Sequence, residues 1–278
     1  MDTLGARWLL LVMVLTAGEV TWGQATAQPS PAAQRVLLVG QLPDGHPPGT
    51  HEFVAGLNVL QHLLRKQPRL QVQLVLADEP WEDGPTLISG ADVVVLYLAE
   101  GARWLRAQPS RQQAFLEVST RGGGLVCLHW AMGTKPAEHI ADFVHLFGGC
   151  HGGDDRKYQV LTTDLRPAPS AAEHPILRGV TPFRLDDEYY YQLKWYPREP
   201  APQPLLEAWI DGAWWPVAWS WERPQGGRSF GFSGLHRYEN WHRPEVRRLL
   251  VQAILWTLHR EVPLTGLAEE FLKARGEP

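Results

Sequence analysis

The sequence predicts an α/β fold: a mostly parallel central sheet flanked by helices, with additional β-strands in the second half. Three observations predict it. Short continuous apolar runs at 35–40, 91–98 and 125–128 have the pattern of strands buried on both faces. Between them lie segments whose apolar residues recur at helical spacing. After about residue 150 the runs become short and Pro-rich turns separate them, the texture of added strands.

The elements follow in order. Arg35 to Gly40 opens the fold as a strand. From His51 to Lys66, the residues Phe53, Val54, Leu57, Leu60, Leu63 and Leu64 form one helical stripe. Leu70 to Leu76 alternates with Gln71 and Gln73, giving a second strand, and Ala91 to Leu98 a third. Ser110 is a candidate cap for a helix running to Thr120. Gly122-Gly123-Gly124 leads into a fourth strand at 125–128, and a helix is expected over 136–147. Such βα repeats imply parallel strands with right-handed crossovers. Strands are then expected at 158–162, 189–193, 205–210, 214–221 and 228–235. Pro244 to His259 closes the fold as a helix. Nothing separates the halves, so one domain is expected over 35–262, with a peripheral tail at 263–278.

The composition narrows the function classes. The chain has 278 residues, 44% of them hydrophobic and 20% charged, enough to bury a substantial core. Net charge is −4 and no long basic run occurs, which argues against nucleic acid as partner. Two cysteines are too few for a disulfide scaffold or a Cys-rich zinc module. Cys127 lies within an apolar run, so free thiols at Cys127 and Cys150 are favoured over a bridge. At the N-terminus, Arg7 precedes the apolar run 8–15, and Ala25-Thr26-Ala27 offers small residues for cleavage. Residues 1–27 therefore read as a signal peptide, followed by a linker at 28–34. The expectation is a secreted or periplasmic protein; an uncleaved anchor is the alternative. Beyond export, no membrane association is expected.

In an open parallel sheet, ligands collect at the carboxyl ends of the strands. Four such ends or loops carry His51, His129, His151 and His236, and a carboxylate run, Asp187-Glu188, lies between two expected strands. Imidazoles with a carboxylate suit a zinc-like divalent ion, so His51, His129, His151, Glu188 and His236 are the candidate metal ligands. The same groups serve acid–base chemistry, with His129, Asp187 and Glu188 as candidate catalytic residues. For each histidine alone, a solvated or capping role is the simpler alternative. His46, Trp130, Tyr189 and His242 are candidate substrate-binding residues, and His174 before Pro175 reads as structural. His129 occupies a strand-to-helix turn, where Cys or Ser would predict acyl transfer; Cys127 lies two residues earlier, which disfavours a cysteine nucleophile. The chain also has 13 Trp, most of them assigned to the core. Alternation places Trp215, Trp219 and Trp221 on one strand face. The triple glycine precedes a strand rather than opening a helix, so no nucleotide cofactor is expected.

Several segments together resemble the ThuA-like, or trehalose-utilisation, family. They are His46-Pro-Pro-Gly-Thr-His51-Glu-Phe, Gly122-Gly-Gly-Leu-Val-Cys-Leu-His129-Trp-Ala, Gly148-Gly-Cys-His151, His174-Pro-Ile-Leu-Arg-Gly179, Asp187-Glu188-Tyr189 and Gly234-Leu-His236. The resemblance covers about 35–260. It implies a flavodoxin-like three-layer fold of the class I glutamine amidotransferase-like type, with His129 where those enzymes place their cysteine. It also implies a small carbohydrate substrate, often through 3-keto-sugar intermediates. Three readings follow: an exported lyase, isomerase or hydrolase acting on a keto-sugar or glycoside, a sugar-binding module without turnover, and a scaffold domain.

Overall fold

The computed structural model describes residues 32–273. The expected signal peptide and most of the linker lie outside the described residues. Gln34 already belongs to the first strand.

The elements in chain order are β1 (Gln34–Gly40), α1 (Phe53–Leu64), β2 (Leu70–Leu76), α2 (Gly84–Ser89) and β3 (Val93–Leu96). They continue with α3 (Gly101–Arg106), α4 (Pro109–Thr120), β4 (Gly124–Leu128), β5 (Gly133–Thr134), α5 (Ile140–Phe147) and β6 (Gly149–Gly152). The second half holds β7 (Lys157–Pro167), β8 (Phe183–Tyr191), β9 (Lys194–Trp195), β10 (Gln203–Ile210), β11 (Ala213–Glu222) and β12 (Arg228–Phe232). Helices α6 (Pro244–Thr257) and α7 (Glu269–Leu272) follow.

The main sheet has nine strands in the order β2-β1-β3-β4-β12-β11-β10-β7-β8. The pairings from β2 through β4 to β12 are parallel; those from β12 to β8 are antiparallel. The sheet is therefore mixed, which corrects the mostly parallel arrangement expected from the βα repeats. The cause is local. Asp211 and Gly212 both adopt positive φ, at 51° and 77°, between paired Ile210 and Ala213. A two-residue turn of this kind folds the chain straight back into an antiparallel hairpin.

Strand alternation builds two cores. Val36, Leu38, Val93, Val95, Val126 and Leu128 face the layer containing α1 and α6. Leu37, Val39, Val94, Leu96, Leu125 and Cys127 face α2 to α5. Burial on both faces explains why these strands are continuously apolar. Cys127 and Cys150 are both buried and free. The Trp alternation is broken: Glu207 and Leu206 pair with Pro216 and Ala218, so Val217 is an extra residue in β11. That bulge reverses the alternation. Trp219 sits in the core beside α5, whereas Trp215 packs on the opposite core. Ser110 is not the cap of its helix: α4 starts at Pro109, with Gln108 at the cap position and no side-chain cap bond, so Ser110 lies inside the helix. At the end of the chain, Leu267 N–H donates to Gln252 Oε1, and Leu272 is buried.

His174 is structural, as expected. Its Nδ1 accepts the Ile176 N–H at 3.2 Å, capping the turn Pro175–Leu177. Burial, reinforced by Arg228, lowers its pKa from 6.5 to about 4. Between those values the unfolded chain binds more protons than the folded one. Stability is thus fully present above pH 6.5 and is lost as pH falls towards 4, by about 2 kcal/mol at pH 5. Denaturant unfolding of His174→Asn should consequently lose about 2 kcal/mol less than wild type between pH 7.5 and pH 5. Gly101 gives a second test. A Cβ there would lie 2.0 Å from the Ala131 carbonyl oxygen, which is backbone and cannot rotate away. Gly101→Ala should cost about 1–3 kcal/mol in the same assay.

Candidate functional site

The loops after β1, β4 and β12 converge at one end of the sheet. Backbone bonds tie two of them together. His51 N–H donates to His236 O at 2.9 Å, Tyr238 N–H donates to Gly49 O at 2.9 Å, and Thr50 bridges Arg237. His129 follows β4 directly. His51 and His129 both adopt positive φ, 50° each. A non-glycine residue holds this conformation only where its surroundings over-determine it. Here side-chain bonds do so.

The histidine network begins with two anchored rings. His51 Nδ1–H donates to Asp44 Oδ2 at 2.7 Å, and His129 Nδ1–H donates to the Ser233 carbonyl at 2.8 Å. Each Nε2 is then left with a lone pair, and the two Nε2 atoms lie 3.0 Å apart. His236 Nδ1 is 3.3 Å from His129 Nε2. One ligating nitrogen from each of His51, His129 and His236 lies within 4.8 Å of the others. Burial lowers the pKa of all three; His129 falls well below the usual range, with His51 adding to the effect, and His236 falls to about 4. Burial alone would raise Asp44, but bonds from His51 and His46 outweigh it, so Asp44 stays an anion. Three neutral imidazoles therefore point at one place, with partners behind two of them. Two facing lone pairs repel unless a cation lies between them. Carboxylate- or carbonyl-backed histidines are the usual support of a transition-metal site, so these residues fit such an ion.

Glu188 and Tyr190 complete the wall. Glu188 Oε2 is 4.0 Å from His236 Nδ1, and burial raises its pKa. The Tyr190 hydroxyl lies 3.1 Å from His129 Nε2, and burial, with Glu188 nearby, raises its pKa well above the usual range. Its ring stacks on His151 at 4.0 Å and on His129 at 4.8 Å. A cavity of about 190 Å³ is lined by His46, His51, Trp130, Lys135, His151, Arg156, Tyr158, Glu188 and Tyr190. That is smaller than the roughly 300–1,000 Å³ typical of drug-sized ligands, and it suits a small substrate.

The expected residues separate into groups. His51, His129 and His236 converge. His46, Trp130, His151 and Glu188 line the cavity, but His151 is outside the nitrogen cluster. Asp187, Tyr189 and His242 are elsewhere. The run 186–188, expected between two strands, lies inside β8, where side chains alternate. Glu188 and Tyr190 therefore face the cavity, while Tyr189 joins the opposite core with its hydroxyl on Leu185 O. Asp187 has no exposed surface. It accepts N–H bonds from Leu235 at 2.6 Å, Glu188 at 3.0 Å and Arg237 at 3.1 Å. It positions the His236 loop. His242 lines a separate hollow beside α1, near Tyr238. Tyr190, Asp44, Lys135 and Arg156 are not among the site residues expected from the sequence, although Tyr190 belongs to the aromatic run 189–191. For Tyr190 the period-two pattern through 183–191 was the available signal.

This is an α/β fold with a histidine-centred pocket at the carboxyl ends of its parallel strands. A family profile described as ThuA, trehalose utilisation, matches residues 36–257. The chain belongs to that family. Among solved structures, it is similar to a protein described as ThuA-like from Bacteroides uniformis, with a TM-score of 0.60 and 17% identity over 89% of this chain and 99% of that one. A cytoplasmic protein from Salmonella typhimurium superposes with a TM-score of 0.51 and 15% identity, covering 80% of this chain and 98% of that one. These likenesses concern the fold. The glutaminase domain of Trypanosoma brucei CTPS overlays at a TM-score of 0.45 and 10% identity, over 85% and 99% of the two chains. No curated protein matches the sequence.

Removing the Asp187 carboxylate would strand buried N–H groups, each worth about 1–3 kcal/mol. Asp187→Ala should lower unfolding free energy by about 2 kcal/mol or more. Tyr189→Phe, which keeps the buried ring, should cost about 1 kcal/mol and leave any ligand affinity unchanged.

Proposed function

We propose that the chain is an exported enzyme acting on a small keto-sugar or glycoside, using a divalent transition ion held by His51, His129 and His236. The carrying observation is the 3.0 Å approach of two Nε2 lone pairs whose Nδ1 atoms are already committed to Asp44 and Ser233. Family membership supports carbohydrate as the substrate class. Export rests on the charge and apolar pattern of residues 1–27.

Bound there, a divalent ion would act as a Lewis acid towards a ketone or hydroxyl oxygen. The protein's own groups supply the rest. Glu188 is the proton carrier: burial raises its pKa, and it borders both His236 and the cavity. Beside a keto group, a C–H proton passes to Glu188 Oε2 and the electron pair remains on the carbon–oxygen framework. Return of the proton elsewhere gives isomerisation, and loss of a neighbouring substituent gives elimination. Hydrolysis would instead use Glu188 to take a proton from water. Tyr190 lines the cavity beside Glu188, and Trp130 and Tyr158 offer aromatic rings to the sugar. Those rings also serve the second reading, a binding module without turnover.

Elemental analysis of purified protein beside His129→Ala and His236→Ala tests the site. One transition-metal ion per chain is expected, lost in both variants. Glu188→Gln should keep the ion and lower turnover of a 3-keto-glucoside at least 100-fold. Wild type without metal after supplementation, with turnover insensitive to chelator, would sink the Lewis-acid reading. Saturable sugar binding with no product would favour the binding module.

A further inference from the structure

We infer that the substrate is an acidic sugar, whose carboxylate is taken by Arg156 and Lys135. The inference rests on the reading of this pocket as the substrate site. Two permanent cations reach one small cavity from different segments: Lys135 follows β5, and Arg156 lies in the loop between β6 and β7. Among the described residues only one acid, Glu188, lines the same cavity.

Arg156 is the stronger of the two cations. Among the described residues it pairs with no carboxylate. One guanidinium nitrogen donates to Gly153 O at 3.1 Å, which fixes the side chain against its own loop. Its other donors stay available. A half-buried guanidinium has five N–H groups in a planar fork and binds a carboxylate best through two of them. Asp155 pairs with Lys194, and Glu100 with Arg103 and, more distantly, Lys135. Lys135 reaches Glu100 only at 3.7 Å and is two-thirds exposed, so it can swing to an incoming anion. The opposite wall carries Glu188 and the imidazoles. A neutral hexose would leave Arg156 without an ionic partner. A hexuronate would place its ring against Trp130 and Tyr158 and its carboxylate on Arg156.

Isothermal titration with D-glucuronate, D-galacturonate, D-glucose and glucose 6-phosphate tests this, with metal content measured on the same samples. Wild type should bind at least one uronate ten-fold or more tighter than glucose. Arg156→Gln should abolish that preference, Lys135→Gln should reduce it, and Arg156→Lys should restore part of it. Circular dichroism would confirm that the variants fold. Equal affinity for glucose and both uronates, or no uronate binding, overturns the inference even where the protein carries metal. Binding of glucose 6-phosphate in place of both uronates overturns the carboxylate and assigns the two cations to a phosphate. Uronate preference in metal-free protein upholds the inference while removing the metal reading.

Discussion

A single buried carboxylate organises the functional end of the molecule. Asp187 sits in β8, the last strand of the antiparallel half, yet its oxygens collect the N–H groups of Leu235 and Arg237 from the loop after β12. The Tyr97 hydroxyl, from the end of β3, donates to Leu235 O at 2.6 Å and holds the same loop from the parallel half. Those bonds fix the path of residues 233–237, and that path supplies both the Ser233 carbonyl behind His129 and the His236 ring. Burial pushes the Asp187 pKa up to about 7, opposed by the N–H bonds it accepts. The cost of desolvating this group is offset only because the loop presents its donors to it.

The mixed sheet follows the same logic. β12 is the boundary strand, parallel to β4 on one side and antiparallel to β11 on the other. A purely parallel sheet would bring only β→α loops to this end. The antiparallel extension carries the middle of β8 there as well, with Glu188 and Tyr190 on the face towards the histidines. The pocket thus takes its nitrogens from loops of the parallel half and its carboxylate and phenol from a rigid strand of the antiparallel half. Groups on a strand keep a fixed spacing, which suits a proton carrier that must meet one atom of a substrate.

Much of the parallel half was legible in the sequence. Its strands are continuously apolar because both faces are buried, and its histidines lie at strand ends because the loops converge there. The carboxylate run was harder to place. Read as a break between strands, Asp187, Glu188 and Tyr189 are all candidates for the site. Read as part of β8, they divide by parity, and Tyr190 replaces Tyr189 in the pocket. The Trp face failed for a related reason: one extra residue at Val217 reverses the alternation of β11, and its local mark is Pro216, which an inner strand tolerates at a bulge. The antiparallel turn was announced, by Asp211-Gly212, but its consequence for the whole sheet depends on long-range pairing. Lys135 and Arg156 carry no motif at all, and only the fold brings them to one cavity.

The strand-to-turn position at His129 bears on what chemistry this scaffold can support. The turn is strained, with φ at 50° on a non-glycine residue, as expected of an elbow that presents one side chain at the end of a sheet. An elbow cysteine or serine would attack a carbonyl. An imidazole held through Nδ1 to a backbone carbonyl instead presents a single lone pair in a fixed direction. The thiol nearest in sequence, Cys127, is buried, and burial pushes its pKa well above the usual range, so it is no substitute nucleophile. In the proposed reading the elbow, with His51 and His236 converging on the same nitrogen, belongs to a ligand set rather than to a covalent intermediate. In that reading proton transfer falls to Glu188, the one carboxylate among the described residues that lines the cavity.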